Sequence, residues 1–231
     1  MASSYDINGF RRIYFVHIRK TAGTSVNKMF ISLGNEDSSV VYQNLVDSPE
    51  HQVISNGKIL VGWNSELINA GRYFYGFSHI PLHQLNLRPG TFVFSSFRDP
   101  VQRVLSHYNM LMHYRVHAPN HPCMKIEGEW VTGSFDDFLD RIPKEHLQNQ
   151  LYMFSEHFEV DEAVEKVKNL SHFFFSESFD RGVDELGKKT GLRLEPVHTR
   201  KAGYKSVIQK ESIDRLRNML VPEYEFLSRI A

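Results

Sequence analysis

The 231-residue sequence has a single cysteine, Cys123, no surplus of either charge and no long apolar run. Each absence excludes a class of protein. One cysteine cannot build an internal disulfide framework, so the small disulfide-stapled secreted folds are ruled out. Lys plus Arg and Asp plus Glu both number 27, so no global field draws the chain to nucleic acid or to an anionic membrane, and any anion site has to be local. No stretch approaches the roughly 18 apolar residues of a membrane-spanning helix, and no basic segment followed by an apolar run opens the sequence. These features predict a cytoplasmic protein with no membrane span. What the sequence does have is 41% hydrophobic and 13% aromatic residues, enough to bury a sizeable core, which we read as one domain over residues 1–231.

Strand patterns alternate with helical ones. Arg12 to Ile18, "RIYFVHI", is short, β-branched and aromatic, as are Tyr73 to Ser78 and Thr91 to Phe97, and all three predict buried strands. Val26, Met29, Phe30 and Leu33 follow helical spacing, with Gly34 placed to stop the helix. After the third strand, Asp99 is a candidate N-cap and Pro100 fits the first helical position, while Val101, Val104, Leu105, Tyr108 and Leu111 form an apolar stripe. Helices are also expected over Ser134 to Ile142, Val160 to Leu170 and Phe179 to Thr190, with an inner strand around residues 173–176 and a long surface loop from His113 to Gly133. The pattern predicts an α/β fold with a mainly parallel central sheet flanked by helices.

Two of the strand-to-helix turns are basic. In such sheets ligands gather beyond the carboxyl ends of the strands, where helix N-termini present backbone N–H groups. In the first turn, "KTAGTS", Ala22 and Gly23 permit close backbone approach, Thr24 and Ser25 add hydroxyls and Lys20 adds a charge, which together suit a phosphate or sulfate group. The same residues also fit a polar connection capped by threonine. A Walker A loop is excluded, because its lysine follows a second glycine and here Lys20 precedes the only one. The second turn, "FRDPVQRVLSHY", offers Arg98 and, two turns into the helix, Ser106. Arg98 can fork onto a phosphate or pair locally with Asp99, whereas Arg103 reads as a solvated helix residue.

Together, "HIRKTAGTS" resembles the 5′-phosphosulfate loop, and "FRDPVQRVLSHY" the 3′-phosphate motif, of sulfotransferases that use 3′-phosphoadenosine 5′-phosphosulfate (PAPS). The resemblance runs from about Arg12 to Tyr114 and is nearest to the carbohydrate branch containing the heparan sulfate 2-O- and 6-O-sulfotransferases. It implies a P-loop-like sulfotransferase fold and a PAPS-dependent O-sulfotransferase that releases 3′,5′-ADP (PAP) and requires no metal. By the same resemblance, Lys20 contacts the phosphosulfate and stabilises the leaving oxygen. Thr21, Ala22, Gly23, Thr24 and Ser25 hold the 5′-phosphate, and Arg98 and Ser106 hold the 3′-phosphate. "HTRKAGYK" resembles a basic loop closing over the nucleotide, with Arg200 and Lys201 as further 3′-phosphate contacts.

Transfer to a hydroxyl also needs a base. His79 follows the Tyr73 to Ser78 strand at the place where the 2-O-sulfotransferase-like proteins carry a histidine, although Ser78 stands where they have glycine. His83 is the fallback, and His17, inside the first strand, is structural. His113, His117 and His121 recur every four residues before Cys123, but Pro119 and Pro122 should end a helix after His117, and no second ligand cluster completes a zinc site. That stretch is read instead as an acceptor-side loop. Asn149 and Gln150 belong either to the cleft or to a helix surface. The leading function is sulfuryl transfer to a hydroxyl of a sugar or a small metabolite. The alternatives are a 3′-phosphonucleotide-binding protein without activity and, more remotely, an ATP-dependent kinase. Neutral overall charge favours a small, lightly charged or undersulfated acceptor; acceptor identity and oligomeric state leave no mark in the sequence.

Overall fold

A computed structural model describes residues 5–198 and 206–231 of the chain. They group into two compact units, one built from residues 5–97 and 165–198 and the other from residues 98–164 and 206–231.

The first unit is built on a six-stranded sheet. Its strands are β1 (Arg12–Val16), β2 (Gln52–Ser55), β3 (Lys58–Gly62), β4 (Tyr75–Ser78), β5 (Thr91–Phe97) and β6 (His172–Phe175), in the order β2-β3-β4-β1-β5-β6. All pairs are parallel except β2 with β3. The sheet is therefore mainly parallel, as the alternating pattern predicts. β1 lies between β4 and β5 and is buried along its whole length, which explains its continuous apolar run. The segment read as an inner strand is β6, at the edge: it pairs with β5 alone among the described residues. Its apolar character comes from packing Phe174 against the buried Phe179.

The sequence reading missed the β2–β3 hairpin. Asn56 and Gly57 turn it, both at positive φ, 44° and 73°, as a two-residue hairpin loop requires.

Helix α1 (Gly23–Ile31) follows β1 and lies on the sheet through its apolar stripe. The Phe30 ring stacks on Tyr75 at 4.3 Å, and the Tyr75 hydroxyl donates to Asn27 Oδ1 at 2.7 Å. Phe30 is fully buried, a contribution of about 1.5–3 kcal/mol. The helix does not stop at Gly34 as expected. It passes at Ile31 into a 3₁₀ turn, Ser32–Gly34, and the left-handed residue that closes the turn is Asn35 at φ 57°. Asn tolerates that region nearly as readily as glycine. Helices α2 (Ser38–Asp47) and α3 (Ser65–Ala70) complete the first half, each with a side-chain N-cap, Asp37 and Asn64. Near the far end of the sequence, the helix Phe179–Thr190 has the bounds its periodicity predicts.

The second unit is helical. It opens with α4 (Pro100–His117), whose Val101, Val104, Tyr108 and Leu111 are buried with Phe138, Leu139, Leu216 and Leu220. The helix Phe135–Arg141 starts with a reciprocal capping box between Ser134 and Asp137. The expected loop from His113 to Gly133 is partly ordered instead, as α4 to His117, a short helix Met124–Glu127 and a 3₁₀ turn Gly128–Val131. Burial of Trp130 and Val131 fastens that turn to the core. Among the described residues no helix is long and apolar enough to cross a membrane.

Candidate active site

Because β1, β4 and β5 run parallel, their carboxyl ends open on one edge of the sheet. The chain crosses over on either side of β1, the position where open α/β sheets bind ligands. The turn from β1 into α1 has an unusual backbone. Lys20 and Ala22 both take positive φ, 69° and 70°, a region that disfavours any Cβ. Ala22 is the N-cap of α1, and no side chain caps the helix. Its carbonyl accepts the N–H groups of Ser25 and Val26. A left-handed residue running into a right-handed helix turns successive N–H groups to one side, which is the arrangement of an anion nest. Two left-handed non-glycine residues in three cost of order 1–3 kcal/mol each, strain that clusters at functional sites.

Each residue of the turn has a distinct place. Thr21 is fully buried, with its hydroxyl donating to the Ile18 carbonyl at 2.9 Å while Ser96 Oγ donates to the Thr21 carbonyl at 2.6 Å. Its backbone carbonyl thus fastens the turn to β5. Gly23 is confined from behind: a Cβ there would stand 1.7 Å from His17 Nε2. The glycine is needed for the helix to seat on the imidazole, a different reason from the close ligand approach expected of it. Thr24 is exposed, Ser25 is buried, and Lys20 and Ala22 are intermediate.

His79 lies in the same unit and is held by the same turn. Its Nδ1 is 2.6 Å from the His17 carbonyl oxygen. A carbonyl only accepts, so Nδ1 carries the proton, and in the neutral ring the lone pair is on Nε2. The two imidazoles lie 4.2 Å apart. Burial holds His17 well below the usual histidine range, reinforced by its neighbours His79, Arg19 and Lys20. His17 is therefore neutral and structural. The same interactions bring Lys20 and His79 to one locality and add Arg19, which the sequence reading passed over although it adjoins Lys20. Ser78, the departure from the glycine of the resembling proteins, is buried; its Oγ lies 2.7 Å from the Tyr14 hydroxyl and accepts the Ile80 N–H at 3.1 Å. His83 is on a separate 3₁₀ turn, Leu82–Gln84.

In the second unit, Asp99 caps α4 by accepting the Gln102 N–H at 2.8 Å, with Pro100 in the first turn, as the sequence predicts. Tyr224 donates its hydroxyl to the same carboxylate at 3.0 Å, and burial followed by the Asp99 charge pushes that phenol up to about 12. Arg98 and Ser106 are half-buried. Arg103, expected in solvent, is fully buried. It pairs with Glu223, Nε to Oε2 at 3.9 Å, and donates to the carbonyls of His146 and Leu147. Burial lowers its pKa, which the Glu223 charge partly restores. Asn149 and Gln150 are also buried and do not form a helix surface. Arg200 and Lys201 lie outside the described residues.

The histidine run divides where its prolines predict. His113 and His117 are on α4 with rings 4.6 Å apart, whereas His121 stacks on Tyr114 and lies 3.0 Å from Cys123 Sγ. Among the described residues no three His, Cys, Asp or Glu side chains are grouped to hold a metal ion.

Residues 3–186 match the family model described as "Sulfotransferase family". No curated protein sequence matches the chain. Among solved structures, the chain is similar to a mouse sulfotransferase, SULT7A1, complexed with PAP, at 14% identity and a TM-score of 0.45, covering 94% of this chain. The chain spans 66% of the length of that structure.

Proposed function

The chain belongs to the sulfotransferase family, and from that premise we propose that it moves a sulfuryl group from PAPS to a hydroxyl of a carbohydrate or small-metabolite acceptor, with both units serving one sulfotransferase domain. The observation that carries the proposal is the β1–α1 turn. It is an uncapped helix N-terminus behind two left-handed residues, with Lys20 beside it and His79 bonded to its base. These residues fit a phosphosulfate, which offers oxygens to the N–H groups of the turn and to the Thr24 hydroxyl. Thr21, whose hydroxyl is committed to Ile18, contributes through its backbone, and Ala22, Gly23 and Ser25 complete the cradle. Arg98 and Ser106 hold the 3′-phosphate, joined by Arg200 and Lys201.

When bound, the nucleotide supplies the sulfuryl group and a phosphate leaving group. Phosphoryl transfer is the nearest analogue, dominated by positioning and charge neutralisation. Lys20 neutralises the charge that grows on the bridging oxygen, an effect of about 10²–10³ in rate for comparable donors. His79 Nε2 takes the proton of the acceptor hydroxyl, a contribution of about 10²–10⁴. The backbone bond at Nδ1 puts the lone pair of the neutral ring on Nε2. The absence of net charge over the whole chain supports a small or lightly charged acceptor.

The test compares thermal shifts with 3′,5′-ADP, 5′-AMP and ATP, then follows release of 3′,5′-ADP from PAPS across a panel of hydroxylated acceptors. Selective stabilisation by 3′,5′-ADP is expected, with turnover for at least one sugar or small alcohol. Equal stabilisation by all three nucleotides would overturn the donor assignment. Selective binding with no release on any acceptor would leave a nucleotide-binding protein in place of the transferase.

A further inference from the structure

Gln150 makes an unusual pair of bonds. Its side-chain Oε1 accepts the Arg98 backbone N–H at 2.9 Å, and its Nε2 donates to the Arg98 carbonyl at 3.0 Å. A side-chain amide has the donor and acceptor of a peptide group, so Gln150 gives Arg98 the two-bond pairing that one strand residue gives another. It does so one residue past the end of β5, whose pairing with β6 finishes at Phe97 and Phe175. Only an amide can serve here, since a carboxylate cannot donate to the carbonyl and an ammonium cannot accept the N–H.

The amide is itself held in one orientation. Glu223 accepts the second Nε2 hydrogen at 3.4 Å and the backbone N–H of Gln150 at 2.7 Å. A carboxylate accepts and does not donate, so the amide nitrogen has to face it. Gln150, Glu223 and Arg103 are all fully buried, and the guanidinium of Arg103 supplies the counter-charge that keeps the carboxylate tolerable. Burial raises Glu223, and the charge of Arg103 followed by the bonds from Gln150 draw it back.

We propose that Gln150, oriented by Glu223, is the positioning residue that sets the backbone of Arg98 so that its guanidinium meets the 3′-phosphate of the donor; this rests on the donor assignment above. The side chain of Arg98 starts from a main chain fixed on both its polar groups, so no backbone ordering remains to be paid for on binding. The arrangement governs nucleotide selection while leaving the chemistry to Lys20 and His79.

The test is Gln150→Ala in the full chain, with Gln148→Ala as its control. Gln148 is buried on the same segment and donates to the Met219 carbonyl at 2.7 Å, so its loss removes a buried side-chain bond there without touching Arg98. Dissociation constants for 3′,5′-ADP and 5′-AMP are measured for each protein, with KM for PAPS and kcat. For Gln150→Ala, the preference for 3′,5′-ADP over 5′-AMP falls roughly tenfold, the scale of one hydrogen bond to a charged group. KM for PAPS rises in step while kcat holds, and Gln148→Ala keeps the wild-type preference. If the alanine variant does not fold, Gln150→Met, which keeps the side-chain volume and loses both bonds to Arg98, is expected to shift the preference the same way. An unchanged preference in the Gln150 variant, or an equal loss in both variants, overturns the inference and leaves the donor assignment standing. A wild-type protein with no preference for the 3′-phosphorylated nucleotide overturns the donor assignment, and the inference with it.

Discussion

The two strand-to-helix turns solve one local problem in opposite ways. After β1 the chain enters its helix through Lys20 and Ala22 in the left-handed region, with no side-chain cap. After β5 it enters through Asp99, an ordinary N-cap, and Pro100. A capping carboxylate occupies the helix end and places negative charge there, which disfavours an anion at that N-terminus, so in the proposed function the second turn works through the side chains of Arg98 and Ser106. The first turn accepts backbone strain and has no side-chain cap, so on the proposed donor assignment it meets the anion with its backbone. A basic strand-to-helix turn is thus two different devices, distinguished by whether its N-cap is an acid.

Substitutions at the two turns break or sharpen that contrast. The largest effect is expected for Lys20→Ala, which lowers kcat by about 10²–10³ with little change in 3′,5′-ADP affinity. Arg98→Ala should do the reverse, raising the dissociation constant for 3′,5′-ADP and sparing 5′-AMP; steady-state kinetics with nucleotide titrations separate the two. Next comes Gly23→Ala, which forces a methyl group into the His17 ring and should destabilise by about 3 kcal/mol. Chemical denaturation of the Gly23→Ala, His17→Ala double variant should recover part of that loss, since the two positions are coupled.

The buried His17 also gives the first turn a pH dependence. Its folded-state pKa is held well below the ordinary 6.5, so the unfolded chain takes up the proton first. Stability is complete above about pH 6.5 and falls as pH drops from there toward the folded value, with a slope of about 1.4 kcal/mol per unit for one proton. Replacing His17 with Gln should remove that share of the slope in urea titrations run from pH 7 to 5. The smallest effects have opposite signs. Asp99→Ala costs about 1 kcal/mol by removing a cap, whereas Ala22→Gly gains about 0.5 kcal/mol by relieving a left-handed Cβ. Thermal denaturation resolves both, and a loss of stability in Ala22→Gly would show that the first turn is not strained.

Local chemistry made much of this legible. The bounds of β5 and of the helix Phe179–Thr190, the cap at Asp99 and the end of α4 at His117 all follow from alternation, periodicity and proline. The β2–β3 hairpin escaped notice because Gln52 to Ser55 is a short and partly exposed strand whose clearest sign is the Asn56-Gly57 turn. Arg103 was misplaced because its burial is decided by Glu223, 120 positions away in a sequence that gives no local hint of the pair. The identities of Lys20 and Gly23 were plain from the motif, but the reason for the glycine lay in a histidine one strand-end earlier. Long-range polar pairing is what a reading by windows cannot reach.

One consequence follows from the central place of β1. Amides of a fully buried strand with hydrogen-bonded neighbours on both sides exchange with solvent only when the surrounding structure opens as a whole, and Ile13 to Val16 meet that condition. The β1–α1 turn follows and is pinned to β5 through Ser96. Its shape is thus tied to the slowest-opening part of the first unit. Warming should leave the shape of the turn unchanged until that unit melts, so the turn is expected to be lost in a single step with the sheet and without a gradual decline before it.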